Sequence, residues 1–273
     1  MFGVKKFLFA AGYLEDARTS LALSEKSDDF YATIGIHPCR ALEPYLAALG
    51  EGTHTDADKL PMEQKQQLLG AYFEEIEKIL TSAKPGNFVA IGECGLDYDR
   101  YEYADKASQL LAFEPHFRLT EKYNLPMYLH SRATGDEFGN IVKANRHRFP
   151  TGVVHSFTGT LEEMQAILDM DLYIGINGCS MKTEENIEVV KAIPVERMIV
   201  ETDCPYCDIR NSHASAQHVR TKFPRKAKDK YDPASEEFAI VRDRNEPCTI
   251  VQVIEVVAAI KGMTTQEVAD ISY

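Results

Sequence analysis

A chain of 273 residues, 44% hydrophobic and 26% charged, has material for a full core and is not the composition of a disordered or collagenous protein. Its net charge of -12 argues against a passive nucleic-acid coat, which carries a basic surface. No apolar run approaches the roughly 18 residues that cross a bilayer, and the opening Met-Phe-Gly-Val-Lys-Lys has no signal-peptide core. An intracellular protein of the cytosol or nucleus is expected, with its six cysteines as reduced thiols.

In chain order, short β-rich apolar runs alternate with helix-period segments. The runs are "VKKFLFAAG" (4 to 12), "FYATIGIH" (30 to 37), "NFVAIGE" (87 to 93), "LPMYLH" (125 to 130), "TGVVH" (151 to 155), "DLYIGIN" (171 to 177) and "RMIVETD" (197 to 203). Residues 41 to 66 are polar, with Gly50, Gly52 and Pro61, and read as a loop insertion. A helix follows, with Leu69, Tyr72, Phe73, Ile76, Ile79 and Leu80 on one stripe. Thr160 with Glu163 forms a capping box, and Thr183 before two glutamates marks another helix start. Alternating β and α units predict a parallel α/β barrel, one domain over 1 to 273 with no linker.

From the second run onward, each ends on a residue of metal-ligand or catalytic type: His37, Glu93, His130, His155, Asn177 and Asp203. In parallel barrels the C-terminal ends of the strands converge on one mouth, where catalytic residues sit. Imidazoles and carboxylates gathered there make the mixed nitrogen and oxygen set of a zinc, manganese or magnesium site. Cys94, one residue past Glu93, should point the other way and pack. A basic stretch, "VRTKFPRKAKDK" (219 to 230), offers Arg220, Lys222, Arg225, Lys226, Lys228 and Lys230 to a phosphate backbone, or to solvent.

These segments also resemble a known family. "IGIHP" (34 to 38), "AIGECGLDYDR" (90 to 100), "LPMYLHSR" (125 to 132), "GVVHSFTGT" (152 to 160), "LYIGINGCSMKT" (172 to 183), "IVETDCPY" (199 to 206) and "RNEP" (244 to 247), in this order, are similar to the TatD family of metal-dependent deoxyribonucleases. That family belongs to the amidohydrolase-like TIM barrels, and "NGCSMKT" followed by "RTKFP" resembles its eukaryotic branch.

The resemblance implies hydrolysis of DNA phosphodiesters, as a 3' to 5' exonuclease on single strands or 3' ends. It implies two divalent ions, magnesium foremost with manganese or zinc as alternatives. Glu93 resembles the carboxylate that bridges both ions, His130 and His155 the imidazoles on one, and Asp203 the aspartate on the other. His37 resembles a histidine near the scissile phosphate. Asp203 is then expected as general base, with His37, Arg132 and Asn177, and further out Arg220 and Lys222, on phosphate oxygens.

The family also opens with a strand carrying H-x-H or D-x-G-x-N, and no such segment precedes residue 4 here. The resemblance therefore implies seven of eight β-α units, an N-terminally truncated domain and a metal site short of first-strand ligands. Two other readings stay open: a metal hydrolase of a small amide or ester, and a non-catalytic form.

Overall fold

The computed structural model describes residues 4–49, 57, 59–235 and 237–272. It divides into two compact units, one from Lys5 to Val154 and a second from His155 onwards.

In the first unit five parallel strands lie side by side in chain order: β1 (Phe7–Phe9), β2 (Phe30–Ile34), β3 (Phe88–Asp97), β4 (Met127–Arg132) and β5 (Gly152–Val154). The longest helices between them are α1 (Leu14–Ser24), α2 (Glu43–Leu49), α3 (Met62–Ser82), α4 (Lys106–Tyr123) and α5 (Asp136–Asn145). The second unit holds the parallel pair β6 (Tyr173–Ile176) and β7 (Met198–Val200), with α6 (Leu161–Asp169), α7 (Glu184–Ala192), α8 (Ile250–Lys261) and α9 (Thr265–Ser272). Parallel strands each followed by a helix make this the α/β-barrel class that the sequence pattern predicts, with seven such strands among the described residues.

The stripe on α3 explains why that helix forms where it does. Leu69, Tyr72, Phe73 and Ile76 are buried with Ile34, Phe88 and Ile91 of the strands, while Ile79 and Leu80 pack at the margin. Each fully buried side chain of this size contributes about 2 kcal/mol. Helix α4 starts where the Asp105 carboxylate accepts from the Ser108 amide at 3.0 Å, and it carries Phe113 and Phe117 into an aromatic group with Phe138 and Phe149. The capping box expected at Thr160 is present, and the helix start expected at Thr183 also proves to be a capping box, closed by Asn186.

Two expectations need correction. Residues 43 to 49, read as part of a loop insertion, form α2, because Tyr45 buries completely and gives that turn a core face; positions 50 to 56 and 58 lie outside the described residues. Glu93 does not end its strand. β3 runs four residues further to Asp97, and Glu93 is the extra residue where the β3–β4 register slips between Gly92 and Cys94. Such a bulge re-aims one side chain and sends its amide elsewhere, here to the Ala11 carbonyl at 3.1 Å. The strands can approach there only because Gly92 and Gly95 have φ of +137° and +147°, and a Cβ on either would lie 2.0 or 1.9 Å from the Tyr128 or His130 carbonyl oxygen.

Candidate functional site

His37, Glu93 and His130 come together in the first unit. His37 follows β2 in a turn that is pinned at three points. Its own amide donates to Gly12 O at 2.9 Å, the Ile36 amide to His116 Nε2 at 2.9 Å, and the Cys39 amide to His37 Nδ1 at 3.0 Å. Since Nδ1 accepts, the ring proton sits on Nε2, which reaches Glu93 Oε1 at 3.2 Å. His37 is therefore built as a hydrogen-bond donor. Burial alone would lower its pKa, but the Glu93 charge and its hydrogen bonds outweigh that and raise it.

His130 meets the same Glu93 oxygen through Nδ1 at 2.9 Å, with its ring edge-on to His37 at 4.6 Å. Its other nitrogen, Nε2, lies 3.2 Å from Asp97 Oδ2. Asp97 is 3% exposed, and its carboxyl is held below the usual range: burial opposes ionisation, but the hydrogen bond and charge of His130, and then Arg132, prevail. A neutral imidazole donates at one nitrogen only. With carboxylates at both ends, His130 needs a positive charge at one of them, either a second proton or a cation beside Nδ1 and Glu93.

These donors fit a hard or borderline divalent ion. Neighbouring ligands about 2.1 Å from one ion and at right angles lie about 3 Å apart, which is the Nδ1 to Oε1 spacing found. The ligand atoms of His37, Glu93 and His130 all fall within 4.8 Å of one another. His37, with its proton on Nε2, belongs to the group as a donor beside the ligands rather than as one of them.

The remaining predicted residues divide by unit. Arg132, at the end of β4, pairs with Asp99 at 2.6 Å and is 44% exposed, so its guanidinium faces outward with a counter-charge. Cys94 packs as expected, 0% exposed, and burial pushes its thiol well up.

In the second unit His155 directly follows the last strand of the first and is 4% exposed, its Nδ1 3.6 Å from Glu201 Oε1. Glu201 also accepts from the Ser156 amide at 2.5 Å and from Asn177 Nδ2 at 3.1 Å. Asn177 gives its other amide hydrogen to Ser156 Oγ and accepts from the Cys179 amide. Every polar atom of this fully buried side chain is engaged, so the geometry gives no support to the expectation that Asn177 holds a phosphate oxygen.

Asp203 sits three residues past β7 at φ +53°, a left-handed position that aspartate tolerates better than most residues. The Cys207 thiol donates to its Oδ2 at 3.2 Å. A hydrogen bond with Cys207 and then Lys182 lower the Cys179 thiol to about 6, while the same bond, burial and the Asp203 charge push Cys207 upward. All six cysteines are free thiols.

The basic stretch is partly neutralised. Arg225 forms a two-pronged pair with Asp208 at 2.6 and 2.9 Å, and Lys226 pairs with Glu237 at 3.2 Å. Glu255 of α8 accepts the Arg220 and Thr221 amides, which fixes the backbone from which Arg220 and Lys222 project.

Sequence reasoning missed Asp97, Glu201, His116 and the Cys179–Cys207 contact. Glu201 had a signal: in an extended strand, residues two apart share a face, and Glu201 stands two before Asp203.

The chain matches the family described as TatD related DNase over residues 2–273. It is 37% identical over 272 residues to the Deoxyribonuclease Tat-D of Schizosaccharomyces pombe, covering 98% of this chain and 80% of that protein. It is 34% identical over 193 residues to the 3'-5' ssDNA/RNA exonuclease TatD of Klebsiella pneumoniae, covering 70% of this chain and 64% of that protein. A solved structure described as an uncharacterized amidohydrolase from Saccharomyces cerevisiae superposes with a TM-score of 0.83 at 30% identity, covering 99% of this chain and 87% of that one. The chain belongs to the TatD-related DNase family.

Proposed function

We propose that this chain is a metal-dependent deoxyribonuclease that removes nucleotides from the 3' end of single-stranded DNA. That it is a hydrolase of ester bonds in DNA follows from its family. The direction and the strand preference are supported by the bacterial relative's name. The observation that carries the metal centre is the 2.9 Å approach of His130 Nδ1 to Glu93 Oε1, with Asp97 at the far nitrogen.

Divalent ions held there, magnesium foremost and two in number, would supply Lewis acidity: a water acidic enough to attack at neutral pH, and withdrawal of charge from the phosphoryl group. Glu93 and His130 would serve as ligands in the first unit, and the family resemblance assigns the same role to His155 and Asp203 in the second. His37 holds its one ring proton on Nε2, against the Glu93 oxygen; with Glu93 committed to a cation, that hydrogen bond would pass to a non-bridging phosphate oxygen and stabilise the charge that gathers there. Arg132, paired with Asp99, provides a second, outer phosphate contact by exchanging one anion for another. Asp203 takes the proton of the attacking water, and the Cys207 hydrogen bond keeps its carboxylate aimed.

The test is cleavage of a 5'-labelled single-stranded oligonucleotide with magnesium or manganese. Stepwise shortening from the 3' end is expected, lowered roughly 1,000-fold or more in Glu93→Ala and His130→Ala, since each removes several kcal/mol of transition-state stabilisation. Metal-independent cleavage, or full activity in both variants, would refute the reading.

A further inference from the structure

Behind the His130 and Glu93 pair lies a buried relay that neither the family's description nor its relatives' names assign. Gln109, on the first turns of α4, is 0% exposed and grips the main chain of Asp97 from both sides. Its Oε1 accepts the Asp97 amide at 2.8 Å, and its Nε2 donates to the Asp97 carbonyl at 2.8 Å and to Ala104 O at 3.0 Å. The Asp97 side chain then has one oxygen, Oδ1, on the Asp99 amide at 3.1 Å, and the other, Oδ2, on His130 Nε2 at 3.2 Å. An ordinary strand residue needs none of this. The last residue of β3 is fixed by a side chain of another element, and its carboxylate is divided between one backbone amide and one imidazole.

We propose that Asp97, held by Gln109, is the positioning carboxylate of the metal centre: it keeps the His130 proton on Nε2 and so presents Nδ1, unprotonated, to the cation beside Glu93. This inference rests on the metal-centre reading above. A carboxylate behind a ligating imidazole fixes the ring's tautomer and its angle and raises its basicity, and removing such a partner weakens metal binding by about 10- to 100-fold. Gln109 acts one step further back. Without its two hydrogen bonds to Asp97 the end of β3 would have to find other partners for a buried amide and carbonyl, and Oδ2 would lose its fixed distance to His130.

The experiment uses the full chain and Zn2+ alone, with affinity measured by competition against a chromogenic chelator. Asp97→Asn keeps the volume of the side chain and an acceptor for the Asp99 amide. It is expected to bind Zn2+ about 10- to 100-fold more weakly with its urea unfolding midpoint close to that of the parent. Gln109→Met removes both grips at similar volume and is expected to weaken Zn2+ binding in the same direction; if it does not fold, Asp97→Asn decides alone. A second readout is the long-range 1H–15N spectrum of [15N]histidine-labelled, zinc-loaded protein. The His130 proton is expected on Nε2, with zinc at Nδ1.

Equal zinc affinity of Asp97→Asn and the parent, while Glu93→Gln binds weakly, overturns the positioning role and leaves the metal centre standing. Zinc at His130 Nε2 overturns it as well. If Glu93→Gln binds zinc as the parent does and no His130 nitrogen shifts, the metal-centre reading itself fails and the inference with it.

Discussion

The two units each set a histidine beside a carboxylate, His130 at 15% exposure in the first and His155 at 4% in the second, and they hold it differently. In the first, Asp97 reaches His130 at 3.2 Å, and its other oxygen takes one backbone amide. In the second, Glu201 lies 3.6 Å from His155 Nδ1 but serves as a hub, with the Ser156 amide at 2.5 Å and Asn177 at 3.1 Å on the same oxygen. One carboxylate is dedicated to its imidazole; the other binds a strand end, a turn and a buried amide side chain together. The difference separates what each residue is for. Loss of Asp97 should injure the site and spare the fold, whereas loss of Glu201 should injure the fold first.

The sharpest break of that comparison is Glu201→Ala. It leaves the Ser156 amide and an Asn177 amide hydrogen without their buried acceptor, and a hydrogen bond to a charged group is worth about 1.5–3 kcal/mol. A loss of about 3 kcal/mol in urea unfolding is expected; a loss as small as that of Asp97→Asn would erase the distinction between hub and dedicated partner.

The first unit contains a further imidazole, wholly structural, that gives it a pH signature. His116 is 0% exposed, stands edge-on to Phe73 and accepts from the Ile36 amide, and burial lowers its pKa to about 4. Its folded pKa is below the unfolded 6.5, so the unfolded chain binds the proton more tightly. The stability it permits is complete above about pH 6.5 and is lost as pH falls toward 4, to the extent of about 3 kcal/mol at 1.36 kcal/mol per pH unit. Urea midpoints from pH 7.5 to 4.5 should show this fall, and His116→Gln should flatten it; an unchanged slope in the variant would place the titration elsewhere.

A smaller effect belongs to the second unit. With its thiol near 6, Cys179 should react with iodoacetamide about tenfold faster at pH 7 than at pH 5, as the thiolate fraction rises. Peptide mapping should find Cys179 modified well before Cys207 or the buried Cys94. Labelling of Cys207 first would reverse the assignment of the shared proton. Smallest of all, Asp105→Ala removes the cap of the helix that carries both Gln109 and His116, and should cost about 1 kcal/mol in the same unfolding assay.

Much of the first unit was legible in the sequence because it depends on local rules. The α3 stripe and the placing of His37 just past β2 and of His130 late in β4 follow from periodicity and from residue type, as does the Thr160 capping box in the second unit. Asp97 was not legible. In "GLDYDR" two aspartates stand two apart, and nothing in the letters says that Asp97 turns to an imidazole while Asp99 pairs with Arg132. The bulge at Glu93 hides the answer further, because it breaks the alternation from which the facing of Asp97 would be counted. Gln109 and His116 lay on a helix whose partners come from distant strands, and the meeting of Cys179 with Cys207, like that of Arg225 with Asp208, joins turns that only the folded chain brings together.

The glycines of β3 set a limit on how this protein can be re-engineered. With a Cβ at position 92 or 95 landing about 2 Å from a neighbouring carbonyl, no side chain rearrangement makes room; a backbone would have to move. In a saturation library across residues 88 to 97, substitutions at these two positions should be eliminated before activity is even asked about, and Glu93 between them should be reachable only by exchange of its own side chain. A search for altered substrate preference therefore has little to gain on this strand. The variable ground lies in what surrounds it, at the exposed Tyr101 and Tyr103 after β3 and at the Arg132 guanidinium at the end of β4, where a side chain can change without asking the main chain to yield.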